Sequence, residues 1–113
     1  MFGFRSATRN GYGRIGLAEL EAMREGGTAP YLLDVREAFE LTAFGKIPGV
    51  VNIPLGQLRQ RGNELPADRD RAIVAVCQSG ARSRQAAATL VDLGYRNVYS
   101  LDGGTLGWMK AGR

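Results

Sequence analysis

The chain has 113 residues, 44% hydrophobic and 23% charged, with a formal net charge of +4; such a chain reads as one ordinary globular domain, long enough to bury a core unaided. One cysteine and no histidine exclude an intrachain disulfide and multi-cysteine metal sites and argue against zinc or copper, so neither a metal nor another cofactor is expected. The lone thiol fits a reducing, cytoplasmic setting; no stretch approaches the length of a membrane span, and scattered aromatics without a basic helix offer no nucleic-acid surface.

Residues 1–16 carry Arg5, Arg9 and Arg14, no acid, and five glycines or asparagines without an apolar period. They read as a loose basic lead-in to a domain at 17–113, either a flexible arm or an Arg-rich segment for targeting or an anionic surface. Leu17, Leu20 and Met23 recur at helical spacing until Gly26-Gly27 stops the helix. Residues 31–35 form a short strand, 36 to about 44 a short helix ended near Gly45, and Ile47-Pro48-Gly49 a turn. The next strand, 50–53, is closed by Pro54. Residues 55–61 suit one or two helical turns, and 62–71 a polar loop around Pro66. The apolar run 72–76 predicts a buried strand. A helix follows over 82–93, with Ala86, Leu90 and Leu93 on one face and Gly94 at its end. A last strand, 97–101, leads through Asp102-Gly103-Gly104 into a short helix whose Trp108 is expected in the core.

Strands alternating with helices predict an α/β fold with a mainly parallel central sheet flanked by helices on both faces. No helix face is left demanding a partner, so a monomer is the default. Ligands of such sheets bind beyond the carboxyl ends of the strands. Asp34, Cys77 and Asp102 each fall at a strand's carboxyl end, which predicts a site around Cys77.

The run Cys77-Gln78-Ser79-Gly80-Ala81-Arg82-Ser83 carries the chemistry. Its small residues let backbone wrap closely around an anion, and Gly80 can take a positive φ. Arg82 and Arg84 put positive charge at a helix start, where it opposes the helix dipole unless an anion is expected. The thiol is therefore a candidate low-pKa nucleophile rather than a small buried hydrophobe. Without histidine, Cys–His acyl chemistry is excluded. Phosphoryl transfer through a cysteinyl phosphate and sulfur transfer through a persulfide remain.

Four segments in order carry a resemblance over about residues 28–108. Leu32-Leu33-Asp34-Val35-Arg36-Glu37 resembles the Asp-Val-Arg segment of the rhodanese family of sulfurtransferases. The segment from Gly45 to Pro54 is similar to that family's Gly-His-Ile-Pro-Gly-Ala segment and following strand. Cys77 to Ser83 resembles its active-site loop, and Leu101 to Trp108 its closing Gly-Gly-x-x-x-Trp segment. The resemblance implies a rhodanese-like fold and a Cys77 thiolate that takes the sulfane sulfur of a donor such as thiosulfate or a persulfide. The outer sulfur then passes to cyanide, a thiol or a protein, with ping-pong kinetics. Four residues separate Cys77 from Arg82. Cysteine-dependent phosphatases use a longer loop, wide enough for phosphate, so the spacing favours sulfur transfer over a phosphatase or arsenate reductase. A persulfide carrier or binding module is the alternative of another class.

In the same frame, Arg82 either helps bind an anionic donor and steady the loop or folds back onto a carboxylate. Asp34 and Arg36 are expected to form a structural ion pair or cap loop amides. Asp102 with its glycines shapes the neighbouring turn. Ser83 is expected to N-cap the helix, or else to donate to the sulfur. Two positions depart from the family. Lys46 replaces a common histidine in a surface turn, with little expected effect. Gln78 replaces a common arginine or lysine, which weakens the pull on a dianion and questions thiosulfate as the preferred donor.

Overall fold

A computed structural model describes residues 11–27 and 29–112. Five strands, β1 (Gly13–Ile15), β2 (Tyr31–Asp34), β3 (Val51–Asn52), β4 (Ile73–Val76) and β5 (Val98–Leu101), form one sheet. Their order is β1-β5-β4-β2-β3, and every pairing is parallel. Four helices, α1 (Leu17–Glu25), α2 (Ala38–Phe44), α3 (Ala81–Asp92) and α4 (Gly104–Lys110), connect or follow the strands, with 3-10 turns at Leu55–Gln57 and Gly62–Glu64. No helix of the described residues is long and apolar enough to cross a membrane.

The central strand β4 is a continuous, wholly buried apolar run because helices cover both faces of a parallel sheet. Alternation along β4 splits its side chains between two cores. Ile73, Ala75 and Cys77 join Leu33, Ala86, Ala87, Leu90 and Val98 beneath α3. Val74 and Val76 join Ile15, Leu20, Met23, Leu32, Ile47 and Leu101 on the α1 side. β4 lies between β2 and β5, where the chain reverses its direction of travel across the sheet. The crevice beyond the carboxyl ends of these strands is the general binding position of open α/β sheets, and Cys77 follows β4 directly.

Three expectations change. The lead-in does not stay loose to residue 16: Gly13–Ile15 pair with Tyr99–Leu101 at the sheet edge, and Tyr12 and Ile15 are buried. A three-residue strand is too short to show a period. Residues 1–10 lie outside the described residues. The second helix begins at Ala38 rather than at Arg36, because the Arg36 N–H donates to Asp34 Oδ1 (3.0 Å) and its side chain is held in the interior. Trp108 is only half-buried, packed against the edge of the α1-side core. It also lines a groove of about 420 Å³ with Glu21, Arg24, Glu25 and Pro48, which contains no residue of the Cys77 run.

Candidate active site

Cys77 leaves the end of β4 into a turn that folds back over its own sulfur. The side chain is almost wholly enclosed, 1% exposed. The turn closes at Gly80, whose φ of +128° is open to glycine and strained for other residues. That angle lets the Gly80 N–H donate to Cys77 Sγ at 3.0 Å. α3 starts immediately afterwards, and the Ser83 amide in its first turn also acts on the sulfur. Burial pushes the thiol pKa up, but it is outweighed by the Ser83 hydroxyl and the amides of Ser83, Gly80 and Ser79, which leave it below its ordinary value. The depression arises from fixed dipoles at a helix start.

Ser83 does not N-cap α3, whose N-cap is Gly80. It stands in the first turn, fully buried. Its Oγ donates to the Gly80 carbonyl at 2.9 Å, lies 3.6 Å from Cys77 Sγ and meets Ser100 Oγ at 2.8 Å. Of its two expected roles the cap is absent, and the hydroxyl meets the sulfur as acceptor from the Cys77 thiol rather than as donor; a hydroxyl can turn to donate once the thiol has ionised. Ser100, a polar residue inside β5, was not singled out from the sequence; a fully buried hydroxyl in an otherwise apolar strand is the signal that marks it.

The far side of the turn is pinned by α4. The Thr105 N–H donates to the Cys77 carbonyl (2.9 Å) and the Leu106 N–H to that of Gln78 (3.0 Å). These bonds satisfy α4's first amides and hold the Cys77 and Gln78 carbonyls away from the sulfur. Contact is close enough to require glycine at 104. Its φ is +56°, and a Cβ there would overlap the Cys77 carbonyl oxygen and stand 2.6 Å from that of Gln78.

Arg82 folds back onto a carboxylate. Its guanidinium makes a two-pronged contact with Glu40, Nη1 to Oε2 at 2.7 Å and Nη2 to Oε1 at 2.9 Å. Glu40 also accepts the Glu37 N–H at the start of α2. The Arg82 hydrogen bond, against the cost of burial, lowers the Glu40 pKa to about 2. The anion that offsets Arg82 at the α3 start is thus a protein carboxylate. Glu40 was not visible as a site residue, because its partner is 42 positions away.

A model of the rhodanese-like domain matches residues 16–111. The chain belongs to the rhodanese-like domain family. This rhodanese-like chain is 42% identical over 81 residues to a sulfurtransferase of Allochromatium vinosum, covering 72% of the chain and 73% of that protein. It is 39% identical over 97 residues to the thiosulfate sulfurtransferase GlpE of Pseudomonas syringae, covering 84% and 85%. The human single-domain sulfurtransferase TSTD1 superposes with a TM-score of 0.77 at 29% identity, over 86% of this chain and 95% of that one.

In the rhodanese-like domain, Asp34 and Arg36 form the expected ion pair, Nη2 to Oδ2 at 2.9 Å with both side chains fully buried. Arg36 also donates to the Gly45 carbonyl (2.9 Å), tying the β2 end to the α2 end. Asp102 lies at the same sheet end but bonds Arg14 of β1 at 2.8 Å, half-exposed, and so fastens the edge strand rather than the loop. Ala81 is exposed in the first turn of α3 and Ser79 on the loop's outer side, while Lys46 sits in an exposed turn as expected. Gln78 faces a cavity of about 220 Å³ shared with Arg36, Phe44, Thr105, Leu106 and Met109.

Proposed function

We propose that this protein is a sulfurtransferase that carries sulfane sulfur as a persulfide on Cys77. The observation that carries the reading is the enclosed sulfur itself: a thiol below its ordinary pKa, bonded by the Gly80 N–H at 3.0 Å, in a chain with no histidine to serve as base. A thiolate formed without a base suits attack on a sulfur–sulfur bond, where no proton need move. With thiosulfate, Sγ attacks the outer sulfur, the S–S bond breaks, and its electron pair leaves with sulfite. The loop amides then hold the outer persulfide sulfur as they held the thiolate, a fixed electrostatic cradle. A second thiophile (cyanide, a thiol or a protein thiolate) takes that sulfur and regenerates Cys77.

Arg82 weighs against phosphoryl chemistry. A phosphate-binding loop needs a guanidinium fork aimed at the dianion, and this fork is already committed to Glu40. A carrier role, with a partner protein loading and unloading Cys77, draws support from the exposed aromatic rings of α2, Phe39 at 66% and Phe44 at 58%.

Intact mass after incubation with thiosulfate, followed by cyanide and thiocyanate detection, tests the reading. Gain of one sulfur atom in wild type and none in Cys77→Ser is expected, with thiocyanate released on cyanide. No gain from thiosulfate, an organic thiosulfonate or a polysulfide overturns it. Sulfur gain with negligible turnover assigns the carrier role instead.

A further inference from the structure

Glu40 is the fixed member of its pair with Arg82. The Glu40 side chain is buried, whereas that of Arg82 is 37% exposed. Glu40 Oε2 accepts the Glu37 N–H at 2.9 Å as well as Arg82 Nη1 at 2.7 Å, and Oε1 accepts Arg82 Nη2 at 2.9 Å. The carboxylate is therefore anchored to the start of α2, and the long arm of Arg82 is brought to it from α3. With its pKa lowered to about 2, Glu40 is ionised wherever Cys77 is a thiolate. Arg82 in turn stands within electrostatic reach of the sulfur. Its pKa is raised first by the Glu40 hydrogen bond and, to a lesser extent, by the charge of Cys77.

An unpaired guanidinium in that position would draw a dianion toward the loop. Here the end that could fork a dianion faces Glu40, and a full negative charge lies 2.7 Å away. Other charges at this end of the sheet are cancelled as well, Arg36 by Asp34 and Arg14 by Asp102, and Gln78 and Ser79 are neutral. Arg84 projects elsewhere. It lies two residues further along α3, about 200° round the helix, with Nη1 3.2 Å from the place a Gly80 Cβ would occupy. A tie between α2 and α3 could equally be apolar, since buried ion pairs are often no more stabilising than packed hydrophobic contacts. The charge of this pair therefore calls for a role beyond holding two helices together.

We propose that Glu40 is a specificity-determining residue, a charge filter that withholds Arg82 from anionic donors and so disfavours dianions such as thiosulfate at Cys77. The inference rests on the persulfide reading and concerns how donors are selected by charge. Glu40 touches no reacting atom; it acts through Arg82 and is a positioning residue. With a neutral side chain at 40, Arg82 keeps its charge, loses the carboxylate that holds it and presents its fork to the incoming anion. The penalty removed is linear in the ligand's charge. A monoanion therefore gains half the logarithm that a dianion gains, and a neutral reagent gains nothing.

Two rates in Glu40→Gln at low ionic strength test the filter. kcat/KM for thiosulfate rises about tenfold, carried by KM, a gain that loss of structure does not produce. The ratio of Cys77 alkylation by iodoacetate to that by iodoacetamide, in which changes in thiol nucleophilicity cancel, rises about threefold. Both gains shrink at about 1 M salt, because Arg82 is partly exposed and screened. Both vanish in Glu40→Gln/Arg82→Gln and persist in Glu40→Gln/Arg84→Gln. A thiosulfate value that stays level or falls in Glu40→Gln, an unmoved alkylation ratio, or gains that follow Arg84 instead of Arg82 overturn the proposal even if Cys77 takes up sulfur normally. If Cys77 takes sulfur from no donor, the persulfide reading fails, and the alkylation ratio alone decides whether Glu40 filters charge at the thiol.

Discussion

Replacing Gly104 by alanine tests whether contact between α4 and the Cys77 turn sets the thiol's environment. Two costs combine. At φ +56° an L-residue loses about 1–2 kcal/mol relative to glycine. The added Cβ would overlap the Cys77 carbonyl oxygen and come 2.7 Å from the Gln78 carbonyl carbon, and backbone cannot swing aside as a side-chain tip can. Overpacking of that kind costs about 1–3 kcal/mol, so the sum is about 2–5 kcal/mol out of a typical total of about 5–15. With a urea slope of about 1.5 kcal/mol/M, the unfolding midpoint falls by about 1–3 M. The turn moves away from α4, the Gly80 amide loses its 3.0 Å contact with Sγ, and the pH midpoint of iodoacetamide alkylation rises. Gly56→Ala is the control, because nothing lies within 4 Å of its added Cβ; it stays within about 0.5 kcal/mol of wild type. A Gly104→Ala protein that unfolds within that same margin and alkylates with the wild-type midpoint refutes the reasoning.

Glu40→Gln removes the ion pair with Arg82 and lowers stability at neutral pH by about 1–2 kcal/mol, a modest figure because the guanidinium is partly exposed and screened. The Glu40 carboxyl is held at about 2 against an ordinary 4.5, so its stabilisation is complete above 4.5 and disappears as pH falls through 2; urea midpoints of the two proteins converge across that window. Ser83→Ala removes the hydroxyl that helps lower the Cys77 pKa and raises the alkylation midpoint. Because that pKa is depressed on folding, the thiolate adds stability above the unfolded thiol's pKa, and the gain is lost as pH falls toward the folded value. Ser83→Ala therefore narrows the stability difference between alkaline and neutral melts.

Local arrangements were readable in the chain and distant ones were not. The run 72–76 announced a buried strand because β4 is covered on both faces, and the thiol's place beyond it followed from parallel topology. Asp34 and Arg36 were expected to pair, being two positions apart in one turn, and they do. β1 was hidden, since three residues at an edge leave no period to detect. The choice between the two readings of Arg82 required the fold, which brings Glu40 across from α2. A cap at Ser83 would need the helix to begin at Arg84, later even than the expected start at Arg82; the observed start at Ala81 places its hydroxyl in the first turn, against the sulfur. Thr105 shows no signal in the sequence, because its relation to the Cys77 carbonyl exists only once α4 folds over the loop.

The sheet also bears on behaviour at high concentration. Its outer strands are its shortest, three residues in β1 and two in β3. An open strand invites another chain to add alongside it, and brevity is a common protection. On the β3 side the Asn52 side chain donates inward to the Asp34 and Arg36 carbonyls, both at 2.9 Å, fastening this short strand to the end of β2. On the β1 side the ion pair between Arg14 and Asp102 places charge along the margin. The fold that encloses one reactive sulfur thus offers little template for edge-to-edge aggregation.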